Sequence, residues 1–184
     1  MKGRSILLDH IGGREAAAIL VDGKLDDLLI DDDSAPRPGA IFRAICDRPL
    51  KGQGGMMLRL PDGETAFLRQ GKGLKPGQPM LVQVTGYAEP GKAIPVTQKL
   101  LFKSRYAIVT PGSPGLNISR SIRDSELRTE LEGLATAGMA GAAEDIGLIL
   151  RSACETAETD EITEDITNMR QLAEAVLADV QGAP

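Results

Sequence analysis

Five short apolar runs lie between Gly39 and Leu100, and the turns between them leave this stretch few ways to fold. The runs are AIFRAI from Ala40, GMMLRL from Gly55, TAFLRQ from Thr65, PMLVQV from Pro79 and AIPVTQKL from Ala93. Between them fall KGQGG, Pro61-Asp62-Gly63, KGLKPGQ and AEPGK. Each run is too short for an ordinary helix and is bounded by residues that break one, so each predicts a strand. Five strands in so little chain predict a small closed barrel of OB type, with an SH3-like barrel as the competing form.

The flanking segments carry different patterns. Ahead of the barrel, Ser5 to Asp9, Glu15 to Val21 and Leu25 to Ile30 are apolar or alternating, separated by Gly12-Gly13 and Asp22-Gly23. Asp-Gly between two such runs is a strong hairpin signal, so the expectation is a three-stranded antiparallel meander. Asp31-Asp32-Asp33 and then SAPRPG form a polar, broken connection with a boundary near residue 36. Beyond the barrel, Tyr106 to Val109 predicts a strand and Ser125 to Ala135 a helix, with Leu127, Leu131 and Leu134 on one face. Ile146 to Arg151 predicts a strand and Ile162 to Val180 a long amphipathic helix. The predicted class is α+β: a β-segment at 1–36, the barrel at 37–100 and a mixed α/β region at 101–184.

Charge is uneven. The chain carries −5 overall, yet residues 37–105 hold 12 Lys/Arg against 4 Asp/Glu. Residues 1–36 hold 4 against 8, and residues 106–184 hold 5 against 14. A polyanion responds to the local field, screened within about 10 Å, rather than to the total. The middle block is therefore the candidate polyanion surface, unless the acidic flanks neutralise it. With no Trp, two Tyr and three Phe, aromatic stacking platforms are few.

Cys46 and Cys154 stand far apart and His10 is the single histidine, which argues against a zinc site. Two unpaired thiols suit a reducing compartment. The opening MKGRSILLDHIGG has too short an apolar run for a signal peptide, and no stretch approaches the ~18 apolar residues of a membrane span. The expected location is the cytoplasm. Asp31-Asp32-Asp33 could hold a metal only if its carboxylates converged; consecutive residues diverge, so a solvated turn is expected.

Three motifs in the C-terminal region form a series: Ile118-Ser119-Arg120-Ser121-Ile122, Leu127-Arg128-Thr129-Glu130-Leu131, and Gly147-Leu148-Ile149-Leu150-Arg151-Ser152-Ala153. At this spacing they resemble the ribonuclease E/G family. The resemblance extends over the chain, strongest at 104–153 and weak across 45–65. It implies that residues 1–36 contribute to an RNase-H-like subdomain, that 37–100 is an S1 domain, and that 101–184 is a 5′-sensor region.

By that resemblance, Arg151-Ser152 matches an Arg-Thr pair that contacts the 5′-monophosphate of RNA. A guanidinium and a hydroxyl suit a terminal phosphate. Ser104 and Ile108 fall where the family has a supporting Gly and Val, and Ser104 departs from that pattern. Arg120 is a secondary candidate. On the barrel, Phe67 matches a stacking aromatic and Lys92 a lysine near RNA, while a second aromatic position is occupied by Met57. Phe67 suits either barrel core or binding face. Arg59, Arg69, Lys72 and Lys75 would contact phosphates with little sequence preference.

The resemblance also implies endoribonuclease chemistry, with two aspartates of a later subdomain holding Mg²⁺ to activate water. Those aspartates match no position in this sequence, and no cofactor is expected in this chain itself. Two functions stay open: a member of an RNA-cleaving lineage, or a non-catalytic RNA-binding or protein-interaction module on an OB barrel. Single-stranded RNA is the expected partner, and a monomer or weak dimer the expected state.

Overall fold

The computed structural model describes all but Met1, residues 32–35, Lys51, Gln53, Asp62 and residues 182–184. Of the three-aspartate run, Asp32 and Asp33 therefore lie outside the described residues. The chain divides into two compact units, Met1–Arg37 and Pro38–Pro184.

The first unit is the expected meander of β1 (Arg4–Ile11), β2 (Arg14–Val21) and β3 (Lys24–Ile30), antiparallel in the order β1-β2-β3. Asp22 and Gly23 both take positive φ, 51° and 80°, as a tight hairpin turn requires. Strand alternation sends apolar residues to both sides. Ala18 pairs with Leu7 on one flank and Leu28 on the other, on one side of the sheet, and Ala17 pairs likewise with Leu8 and Leu29 on the opposite side. Leu7, Leu8, Leu28 and Leu29 are all exposed.

The second unit opens with a closed barrel of β4 (Ile41–Leu50), β5 (Gly55–Arg59), β6 (Thr65–Leu68), β7 (Pro79–Val84) and β8 (Ile94–Thr97). Around the barrel the order is β4-β5-β6-β8-β7, with β6 and β8 parallel and the other pairs antiparallel. This is an OB-like order, so the first of the two barrel forms is the one adopted. Period-2 alternation fills the interior with Ala44, Cys46, Met56, Leu58, Ala66, Leu68, Val82 and Val96.

The rest of the unit is a four-stranded sheet in the order β11-β12-β10-β9, covered by two helices. The strands are β9 (Phe102–Lys103), β10 (Ala107–Pro111), β11 (Leu116–Ile118) and β12 (Ile146–Leu150), and the helices are α1 (Ser125–Gly138) and α2 (Thr159–Ala178). Of these strands only β10 and β12 are visible as apolar runs; β9 and β11 are too short to show a period. Asp124 caps α1 by accepting the Leu127 N–H at 2.9 Å. Leu131 and Ala135 of α1 meet Ile162 and Ile166 of α2 in one core with Val109, Leu148 and Leu150. Gly147 has no room for a side chain: a Cβ there would meet the Thr110 hydroxyl and the Gly115 carbonyl within 2.8 Å. β11 can lie beside β12 only because that position is glycine.

The barrel is stitched to this layer by one buried amide. The Gln83 side chain donates to the carbonyls of Gly39 and Leu101 at 2.9 and 3.0 Å, and accepts from the Leu101 N–H at 2.9 Å. A buried amide is tolerated because its bonds are made. No helix among the described residues is long and apolar enough to cross a membrane.

Candidate functional site

Two places in the second unit gather the residues singled out above. The first is the outer wall of the barrel. Met57 on β5 lies directly opposite Phe67 on β6, and Phe67 directly opposite Pro95 on β8. Their sequence neighbours Met56, Leu58, Ala66 and Leu68 point inward and are buried, so alternation turns Met57 and Phe67 outward, where both are half-buried. The Phe67 ring rests on Gly55, where any Cβ would run into it. Phe67 is thus held flat against the wall, outside the core. Strands two and three of an OB barrel form the face that commonly meets oligonucleotides, and β5 and β6 are those strands.

The cations around this row differ in their freedom. Arg59, Arg69, Lys72 and Lys75 are exposed. Lys92, in the β7–β8 connection, is held by Glu89 at 2.5 Å, so its charge is already half-answered. Arg48 lies opposite Met57 on β4 and meets Asp47 at 3.6 Å.

The second place is the end of the sheet where β11 and β12 finish side by side. These strands are parallel, with Ile118 opposite Leu150, and the Ser119 N–H donates to the Leu150 carbonyl at 2.8 Å. Arg120 and Arg151 therefore leave neighbouring strand ends, and both are exposed, as is Ser152. Antiparallel β10 begins at the same end, since Ala107 pairs with Leu150, which brings in the turn 104–107. The Arg151 guanidinium donates to the Ser104 carbonyl. Arg128, from the second motif, donates to the carbonyls of Ser119 and Ile122 at 3.1 and 3.0 Å and so braces the loop bearing Arg120.

The turn has a partner that sequence reasoning missed. One oxygen of Asp165, on α2, accepts the Ser104 hydroxyl at 2.5 Å and the N–H groups of Tyr106 and Ala107 at 2.8 and 3.1 Å. Glu161, one helical turn earlier, accepts the Tyr106 hydroxyl at 2.7 Å. In sequence these carboxylates read as an acidic helix start, and Glu161 does lie in the first turn of α2; their bonds to Ser104, Tyr106 and Ala107 nonetheless turn both toward the sheet. Donation to Glu161, with burial, raises the Tyr106 phenol above its ordinary value of 10.0. Ser104 therefore spends its hydroxyl inward and offers its carbonyl to Arg151. Ile108 sits within the ladder between Lys103 and Ile149, half-buried, rather than at the opening.

Cys46 and Cys154 are buried, and burial pushes both thiols up, which suits packing rather than nucleophilic chemistry. Among the described residues, no three His, Cys, Asp or Glu side chains are grouped so as to hold a metal ion.

An OB-like barrel joined to a helix-covered sheet with an arginine-bearing strand end defines the class: an α+β protein with a candidate anion-binding site. Comparison with known proteins adds a likeness over the C-terminal part: residues 102–184 match the model of the ribonuclease E/G family. It is similar to ribonuclease E of Synechocystis sp., 33% identical over 107 residues, covering 56% of this chain and 15% of that protein. Ribonuclease E of Nostoc sp. is 30% identical over 112 residues, covering 59% of this chain and 15% of the relative. A probable ribonuclease FAU-1 of Staphylothermus marinus is 31% identical over 83 residues, 45% of this chain and 17% of that protein. The chain thus spans only a small part of the length of these relatives.

Proposed function

We propose that this chain is an RNA-recognition part of a ribonuclease E/G family protein, binding single-stranded RNA on the barrel wall and a 5′-monophosphate at Arg151 and Ser152. The observation that carries the reading is the strand-end arrangement: Arg151, Ser152 and Arg120 emerge together, exposed, inside the segment that matches the family. A terminal phosphate brings more negative charge and more acceptor oxygens than an internal phosphodiester, and two arginines with a hydroxyl answer that difference. Ser104 supports the site by holding Arg151 through its carbonyl. Phe67 and Met57 supply apolar contact for bases, with Arg59, Arg69, Lys72 and Lys92 near the backbone.

The carboxylates that would hold Mg²⁺ match no position of this sequence, so the proposal gives this chain recognition and not cleavage. Fluorescence anisotropy with one RNA carrying either a 5′-monophosphate or a 5′-hydroxyl tests it. Tighter binding of the monophosphate, with affinity falling as salt rises, is expected. Equal binding of both ends rejects the sensor; absence of salt-sensitive binding rejects the RNA reading. Mg²⁺-dependent cleavage that survives repurification and is stopped by EDTA would reject a recognition-only role.

A further inference from the structure

Two grooves on the second unit meet around Lys99, a residue that neither the sequence motifs nor the family resemblance brings forward. One, of about 510 Å³, runs beside Phe67 and Arg69 past Pro95 to Thr97 and Lys99. The other, of about 480 Å³, runs from Thr85, Thr97 and Lys99 to Lys103. Because they share Thr85, Thr97 and Lys99, they form one continuous channel. It starts at the stacking row on the barrel wall and ends at Lys103, the residue before the 104–107 turn that holds Arg151.

The lining is one-sided in charge. Among the described residues, Arg69, Lys99 and Lys103 line the channel and no Asp or Glu does. All three cations are exposed, and among the described residues none makes an ion pair. Lys92, by contrast, is held by Glu89. Three of the neutral polar groups are already used: Thr85 donates its hydroxyl to the Pro95 carbonyl at 3.1 Å, Thr97 accepts the Lys99 N–H at 3.1 Å, and Gln83 is bonded on both sides, while the exposed Gln70 and Gln98 line the same wall as Phe67. The channel's charge is therefore all positive, and its two amides stand near the Phe67 end. Three cations strung along a groove fit a chain of phosphates better than a single anion.

We infer that this channel carries the sugar-phosphate backbone of single-stranded RNA between the Phe67 face and the Arg151 end, with Lys99 and Lys103 as its phosphate contacts. The inference rests on the RNA-binding reading above and gives the strand a path. It follows that one RNA molecule engages both places at once, so that a long strand gains from linkage of two contacts where a short one cannot.

The test uses the full chain and a fluorescent single-stranded RNA of about 16 nucleotides, the upper range for one OB barrel. Affinity is measured against salt for the parent, Lys99→Ala, Lys103→Ala and Phe67→Ala, each first checked for parental thermal unfolding. Each neutralised phosphate on a single strand contributes about 0.7 to the slope of log affinity against log salt. Each lysine variant should lose about that much slope and bind both 5′ ends more weakly by the same factor. Phe67→Ala should weaken binding with the slope kept. Parental slope and affinity in both lysine variants, while Phe67→Ala weakens binding, would overturn the path and leave the RNA reading standing. A parent chain that binds no RNA would overturn both. Equal binding of a polyglutamate peptide, with the same dependence on Lys99 and Lys103, would show a generic polyanion channel and also overturn the proposal.

Discussion

The Ser104 hydroxyl donates to Asp165 across 2.5 Å, and the same carboxylate oxygen accepts the N–H groups of Tyr106 and Ala107. A helix carboxylate thereby fixes the turn whose Ser104 carbonyl holds Arg151. Asp165 touches no proposed ligand; it acts through the turn.

Asp165→Ala should therefore cost stability, since a part-buried turn loses three bonds to a charged acceptor. Hydrogen bonds to charged groups contribute roughly 1.5–3 kcal/mol each in favourable cases, though losses within one network do not add. A drop of about 2–3 kcal/mol in urea unfolding is expected. Asp165→Asn, which keeps one acceptor oxygen, should lose less. If the preference for 5′-monophosphate RNA exists, it should weaken in Asp165→Asn while affinity for 5′-hydroxyl RNA is kept.

Arg151→Ala should abolish any preference for the monophosphate end and leave the 5′-hydroxyl RNA bound as before. Arg151→Lys should restore it only in part, because an ammonium cannot meet both the Ser104 carbonyl and a phosphate in a planar fork. Paired anisotropy titrations read both outcomes. A preference that persists in Arg151→Ala would place the phosphate elsewhere.

Phe67→Ala should weaken RNA binding by about 1–3 kcal/mol, the range for one base–aromatic stack. Its effect on folding should be smaller than that of Leu58→Ala, because Leu58 is fully buried inside the barrel and Phe67 lies on the wall. Truncating a buried leucine costs about 2–5 kcal/mol. Urea unfolding of the two variants ranks them.

The Tyr106 phenol should titrate above 10.0 in the folded chain, and Glu161→Ala should move it down toward that value. The folded state keeps a proton that the unfolded state releases, so stability should fall as pH rises from about 10 through the folded value. Ultraviolet absorbance during alkaline titration, in a Tyr87→Phe background, follows this one group.

Gly147→Ala should unfold the strand end outright or cost several kcal/mol, because its Cβ would meet oxygen atoms within 2.8 Å. The glycine of the third motif is thus explained by packing of β11 on β12. Loss of solubility or of the cooperative thermal transition would show it.

The barrel was legible because its signal is local. Alternation along GMMLRL and TAFLRQ already separates Met56, Leu58, Ala66 and Leu68 from Met57 and Phe67, and Gly-rich turns delimit each strand. Asp22-Gly23 and the Leu127–Leu131 spacing were legible for the same reason: a turn or a helix face is written within a few residues. The three-motif series likewise marked the segment that matches the ribonuclease E/G family.

Pairing across distance was not written there. Strands as short as β9 and β11 have no period to detect, and their place follows from what lies beside them. Asp165 and Ser104 are 61 residues apart, so no local pattern could show that an acidic helix start turns its carboxylates inward onto a turn. Lys99 and Lys103 read only as scattered charge until the barrel closed and the sheet packed against it. The sequence alone determined the five strands, the two alternating sets of residues along them and the candidate residues; the fold decided that the Phe67 set faces outward. Only the tertiary structure decided which cations stand unpaired in one channel and which carboxylate holds the Arg151 turn. Local geometry is set by neighbours in the chain, whereas charge pairing and groove continuity depend on residues far apart in the sequence and close only in the fold.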